Sequence, residues 1–266
     1  MSVAVSIKGA ITRITLDRPD KLNAFDETVI ADLIQALQDS ADHPTRVIVI
    51  AGAGKHFCAG GDLGWMRRMA DKNWDENRAD ARQLAALMAA VDQAPKPVIA
   101  RVQGAAYGGA TGLVCAADIA VAADNARLCL SEVRIGLLPA AIGPYVVRAI
   151  GARQARRYFM TAEEINAPRA LALGMVHEVV PEAELDACID RIIAALLTGA
   201  PGAQNKVREA VARMDAPIDD DLIEYTAELI AGLRMGEEGK EGLNAFLEKR
   251  LPAWRTDNHN NQGART

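Results

Sequence analysis

The sequence predicts an α/β fold followed by a purely helical C-terminal third. Two observations carry this. Up to about residue 150, short apolar runs that read as buried strands alternate with segments of helical periodicity, the pattern of a sheet built through crossover helices. Beyond residue 180 only the helical spacing recurs.

The elements follow in order. In "VAVSIKGAITRITLDRP" branched or small apolar residues alternate with polar ones across Lys8 and Gly9, which reads as a hairpin ending at Pro19. Asp26 stands where a helix N-cap belongs, and Val29, Ile30, Leu33, Ile34 and Leu37 share one helical face, so residues 26–42 are predicted helical. "RVIVIAG" is a buried strand. A polar, Gly-rich turn leads to a helix through "ENRADARQLAALMAAVDQA", stopped by Pro95 and Pro97. "VIARVQG" is again strand-like, and a second Gly-rich turn opens a helix of small residues. In the C-terminal third, Leu185, Ile189, Ile192, Ile193 and Leu196, then Leu222, Tyr225, Leu229 and Ile230, form stripes that must be buried on the core or on another subunit. The polar, aperiodic end "RTDNHNNQGART" is expected to fray.

The chain has 266 residues, half of them hydrophobic, enough for a sizeable core. Its net charge of -5 argues against nucleic acid as a partner, because phosphate binding needs a basic surface. Cys58, Cys115, Cys129 and Cys188 lie in small or apolar contexts without a CxxC spacing, which suggests buried free thiols rather than zinc ligands or disulfides. No pair of the scattered histidines His43, His56, His177 and His259 has metal-ligand spacing, so no metal is expected and each is assigned to structure or surface. No charged-then-apolar leader opens the chain and no run of about twenty apolar residues occurs, so no membrane association and a cytoplasmic location are the expectations.

Two stretches have the makings of chemistry. "GAGKHFCAGGDL" leaves a buried strand and delivers Ala59, Gly60 and Gly61 to a tight turn before a helix, where main-chain amides are free to hold an anion or a polarised carbonyl. "GAAYGGATG" repeats the arrangement and offers Gly109. Taken alone, such a turn is more often glycine serving backbone geometry. Facing each other, the Gly61 and Gly109 amides would make a two-donor oxyanion hole.

The segments "LDRPDKLNAFD", "AGKHFCAGGDL", "VQGAAYGGATGL", "AADIAVAADNARLCLSEVRIGLLP" and "EGLNAFLEKR" resemble, in order and spacing, those of the crotonase family, the enoyl-CoA hydratase/isomerase superfamily, from about residue 3 to residue 254. The resemblance implies a crotonase-like spiral of ββα units over residues 1–200, a C-terminal helical trimerisation region at 201–256 and a flexible tail at 257–266. It also implies a homotrimer or a dimer of trimers, and an acyl-CoA thioester as substrate. Coenzyme A is then part of the substrate, and no separate cofactor is expected. By the same resemblance Gly61 and Gly109 supply the oxyanion hole. Lys21, Ala24, Ala59, Asp62 and Leu63 match positions that hold the nucleotide of coenzyme A, and Phe246 and Lys249 match positions that reach it from a neighbouring subunit.

Hydratases of this family that use two glutamates place them at the positions matched here by Gly112 and Glu132. Only Glu132 is a carboxylate, and the small residues around Gly112 are expected to leave space where an acid or base would otherwise stand. Glu132 is therefore the expected general acid/base, a role worth roughly 10²–10⁴ in rate. Burial beside Leu130, Val133 and Ile135 would raise its pKa. The competing reading is a surface salt bridge with Arg134 or Arg127.

The wording of residues 108–151 resembles bacterial hydratases of branched, carboxylated enoyl-CoAs, the methylglutaconyl and isohexenylglutaconyl types. Arg134 is then either the cation for the extra carboxylate or part of a structural ion pair. By the same resemblance Ala140 stands where glycine is usual after the proline and is expected to reshape the water site. Trp65 and Tyr107, near the Gly turns, either line the acyl pocket or pack the core. Three functions follow as alternatives: an enoyl-CoA hydratase, a Δ3,Δ2-enoyl-CoA isomerase using the single glutamate, and a non-catalytic acyl-CoA-binding scaffold.

Overall fold

The computed structural model describes residues 2–255. The chain divides into two compact units, Met1–Ile192 and Ile193–Thr266.

The first unit opens with the predicted hairpin, β1 (Val3–Lys8) antiparallel to β2 (Ile11–Leu16), turning on Gly9 at φ +58°. Helix α1 (Glu27–Asp42) starts where expected, because the Asp26 carboxylate accepts the Val29 N–H at 2.9 Å and satisfies one orphan donor of its first turn. Strand β3 (Val47–Gly52) is buried throughout. Then come α2 (Leu63–Ala70) and α3 (Trp74–Asp92), the latter opened by a reciprocal Asn73–Glu76 cap. The chain continues through β4 (Val98–Val102), β5 (Ala105–Tyr107), α4 (Gly109–Ala116), β6 (Ile119–Ala123) and β7 (Arg127–Cys129). A 3-10 turn, Glu132–Ile135, precedes α5 (Gly143–Thr161), β8 (Ile165–Asn166), α6 (Ala167–Leu173), β9 (Glu178–Val180) and α7 (Leu185–Thr198).

Six strands form one sheet in the order β1-β2-β3-β4-β6-β9, parallel from β2 onward, and β5, β7 and β8 form a second. The chain passes from the large sheet to the small one and then into a helix again and again. β4 leads to β5 and α4, and β6 leads to β7 and α5; β3 leads to Cys58, bridged to Ala106, and then α2. This is the ββα spiral. Strands parallel on both sides and covered on both faces need apolar residues at every position, which explains "VIVIAG". The four cysteines are free and buried, and burial pushes the Cys58 and Cys115 thiols up to about 12.

In the second unit, α8 (Pro201–Met214), α9 (Asp220–Met235) and α10 (Glu237–Leu247) follow the end of α7. Glu238 accepts the N–H groups of Gly202 and Ala203 and so caps α8, while the Trp254 indole N–H donates to the Thr198 carbonyl at 3.1 Å. Of the predicted stripe, Leu222 is buried and Ile230 exposed. Met235, Leu243, Phe246 and Leu247 are also exposed. The tail at 257–266 lies outside the described residues, among which no helix is long and apolar enough to cross a membrane.

Candidate active site

Both Gly-rich turns are built by the same device, a strand end pinned by parallel pairing to its neighbour. Phe25 pairs with Gly61: its N–H donates to the Gly60 carbonyl and its carbonyl accepts the Asp62 N–H, both at 2.7 Å. That pairing leaves the Gly61 N–H off the ladder. Next to it, Cys58 accepts the Tyr107 N–H and donates to the Ala105 carbonyl, each at 3.0 Å, so the two turns run side by side. They come so close that a Cβ on Gly60 would lie 3.3 Å from the Tyr107 carbonyl oxygen, and one on Gly109 only 3.1 Å from the Phe25 ring. Gly109 is the first residue of α4, and its N–H is one of the donors that a helix start leaves unpaired.

Polar side chains hold this arrangement, and two buried ones, Asn23 and Gln103, went unrecognised in the sequence. Asn23 is fully buried at φ +57°; its amide donates to the Ala53 and His56 carbonyls, and its Oδ1 accepts the Arg18 N–H. Asparagine tolerates the left-handed region, which was the signal available in "KLNAF". Gln103 bonds the Gly52 and Gly54 carbonyls, and His56 Nδ1 accepts the Ala105 N–H at 3.0 Å. His56 is thus a structural clasp, as is His177, whose Nδ1 accepts the Ala120 N–H.

Glu132 opens the 3-10 turn after β7, and Gly136, at φ +76°, ends it. Its carboxylate lies on the turn that starts α4: a Cβ on Gly108 would stand 3.4 Å from Oε1. Gly108 is at φ +53°, a conformation only glycine adopts without strain, and its N–H is tied to the Cys129 carbonyl. Glu132 Oε2 is buried and has no hydrogen-bond partner. Burial pushes the Glu132 carboxyl above the usual range.

Two expectations about Glu132 need correction. Val133 and Ile135 are 40% and 55% exposed, so its cover comes from the folded chain at Gly108 and not from those sequence neighbours. The salt-bridge reading also fails: Arg134 donates to the Ala162 carbonyl at 2.6 Å, and Arg127 lies 3.5 Å from Glu164.

The space expected around Gly112 is also absent. A Cβ there would meet Ile142 Cγ2 at 2.3 Å, Ile142 Cβ at 2.6 Å and Met88 Sδ at 3.0 Å. Small residues on α4 allow close helix packing here, and the neighbours have filled the gap.

A family model described as enoyl-CoA hydratase/isomerase matches residues 6–257. The chain belongs to this family. An enoyl-CoA hydratase from Shewanella pealeana superposes with a TM-score of 0.93 at 45% identity, over 96% of each chain. Pseudomonas aeruginosa AtuE superposes with a TM-score of 0.91 at 34% identity, over 96% of this chain and all (100%) of that one. A trans-2-decenoyl acyl-carrier-protein isomerase of Streptococcus mutans is 30% identical, over 94% of this chain and 96% of its own. The family thus has members named for both reactions among the relatives of this chain.

The remaining residues implied by family resemblance fall as follows. Asp62 caps α2 by accepting the Gly64 and Trp65 N–H groups; these bonds, with Lys21 and Arg18 nearby, hold its carboxyl below the usual range. Lys21 Nζ is 3.7 Å from Asp62, and half-exposed. Ala24 is buried, Ala59 donates to the Leu22 carbonyl, and Leu63 is 80% exposed. Trp65 packs in the core beside Gly61 and donates to Asp80 at 3.1 Å. Tyr107 donates to Glu164 at 2.7 Å, and its phenol is pushed up to about 12, by burial first and by Glu164 second. Ala140 is exposed on the loop before α5. Phe246 is exposed near the end of α10, and Lys249, just past it, is at φ +55°.

Proposed function

We propose that this protein adds water to an α,β-unsaturated acyl-CoA thioester, with Glu132 as its single general acid/base and the Gly61 and Gly109 N–H groups as the oxyanion hole. The observation that carries the reading is the half-buried Glu132 carboxylate, its buried Oε2 unpartnered, seated on the turn that opens α4. As the water oxygen bonds to the β-carbon, Glu132 takes the proton it sheds. The electron pair of the double bond moves through the thioester to its oxygen, where two amide donors meet the developing charge; one such donor is worth about 2.7–4 kcal/mol. Glu132 then returns the proton to the α-carbon, so one water is added and the carboxylate is restored. A carboxyl whose pKa is raised by burial is suited to both halves of this exchange.

Lys21, with the turn residues Ala24, Ala59, Asp62 and Leu63, would hold the coenzyme A nucleotide, and Phe246 and Lys249 of a neighbouring subunit would complete that site. The exposed apolar side chains of the second unit support a homotrimer or a dimer of trimers. Within the substrate class we favour a branched, carboxylated enoyl-CoA such as 3-methylglutaconyl-CoA, with Arg134 as the cation for the extra carboxylate. A cytoplasmic location goes with this reading.

One observation favours a second reading. Ile142 fills the space beside Gly112, so proton transfer falls to one group, and one group is all that a Δ3,Δ2-enoyl-CoA isomerase needs. Mass spectrometry of products from a panel of 2-enoyl-, 3-enoyl- and carboxylated enoyl-CoAs separates the readings. Gain of one water from a 2-enoyl-CoA supports hydration, and a shifted double bond without mass change supports isomerisation. Binding without any product from the whole panel would leave a scaffold.

A further inference from the structure

We propose that Ile142, backed by Met88, is a specificity-determining residue: it closes the position on α4 one turn from the seat of Glu132 and so limits the site to one ionisable group on an apolar wall. The inference rests on Glu132 being the acid/base for its chemical consequence, but not for its packing.

Gly112 follows Gly108 by four residues, one turn, or about 6 Å along the axis. Side chains on a helix lean toward its N-terminus, so any side chain at 112 would cover the turn that begins α4, where Glu132 Oε1 lies. That volume is occupied from two sides. Ile142, at the N-terminus of α5, and Met88 of α3 are 1% and 0% exposed, and both reach the point where a Cβ would stand. The Ile142 backbone is held by the N–H groups of Tyr145 and Val146, which donate to its carbonyl at 3.1 and 3.2 Å. It is not free to retreat, whereas the Met88 thioether is flexible. The contacts make a specific demand. Because Ile142 Cβ itself lies 2.6 Å from the added Cβ, alanine at 142 does not open the position; only glycine does.

The test is a cycle of variants in the full-length enzyme: Gly112→Ala, Ile142→Ala, Ile142→Gly and the two combinations. Gly112→Ala alone lowers Tm by roughly 5 °C through overpacking. The loss persists on an Ile142→Ala background and vanishes on an Ile142→Gly background. Equal losses on all three backgrounds, or none on the wild type, would overturn the packing claim. The chemical claim is read from Gly112→Glu combined with Ile142→Gly. The pH profile of kcat/KM should gain a second carboxylate ionisation that Ile142→Gly alone lacks. A folded double variant with the wild-type profile overturns it; should that variant not fold, two carboxylate ionisations in the Ile142→Gly profile do so. Full activity of Glu132→Gln would remove Glu132 from the mechanism, yet would leave the Tm cycle as expected, so the two failures are distinguishable.

Discussion

Glu132 Oε1 lies where a Cβ on Gly108 would be only 3.4 Å away, which places the carboxylate against the residue just before the free N–H of Gly109. An acid and a hydrogen-bond donor at the start of one helix are what a reaction moving a proton next to a developing oxyanion requires.

Glu132→Gln keeps the size of the side chain and removes its proton chemistry. Turnover of enoyl-CoA should fall by roughly 10²–10⁴ or more while acyl-CoA binding is nearly intact. Steady-state kinetics together with calorimetric titration of an acyl-CoA check this, and wild-type turnover in the variant would be fatal to the role.

The same substitution has a consequence for stability. Burial raises the folded-state pKa of Glu132 above its ordinary value of about 4.5, so the folded chain binds more protons than the unfolded one between those two values. Glu132 therefore favours folding fully only below about 4.5, and that contribution is lost as pH rises through the folded pKa. Glutamine does not titrate, so Glu132→Gln should be more stable than wild type at neutral pH, with the difference shrinking toward pH 4.5. Urea melts across that range give the answer.

Gly108→Ala combines a strained φ of +53° with a methyl group pressed against the carboxylate. It should cost about 1–2 kcal/mol of stability and lower kcat far more than it raises KM. A change confined to KM would place Glu132 away from the reacting carbons.

Asn23→Ala leaves the Ala53 and His56 carbonyls and the Arg18 N–H without their partner. A loss of roughly 3 kcal/mol in chemical denaturation is expected, because buried polar groups left unpaired carry their full desolvation cost. KM for acyl-CoA should rise as the Gly61 turn loosens. Asn23→Asp, which keeps the Arg18 bond but loses both donors, should do no better.

Local signals were legible wherever they depend on near neighbours in the chain. The hairpin on Gly9, the Asp26 cap, the fully apolar β3 and the two Gly-rich turns are all set by backbone preference or by periodicity, and ordered motifs revealed the family. Asn23 and Gln103 escaped notice, and the partner of His56 could not be named, because each bonds carbonyls or amides that the chain brings near only on folding. The stripe at Leu222 to Ile230 was legible as apolar, but not which of its members would be buried.

Gly112 draws the line between the two. By family resemblance it is an absent carboxylate, from which open space was expected; but an absence carries no information about what takes its place, and the space is filled. Thirty residues on, Ile142 gives no sign of being its counterpart; close packing of α3, α4 and α5 decides that, because interior volume is filled by whichever side chain the fold brings there. Glu132 as the candidate for proton transfer could be named from the chain, whereas the apolar packing of Ile142 and Met88 beside it was decided in three dimensions.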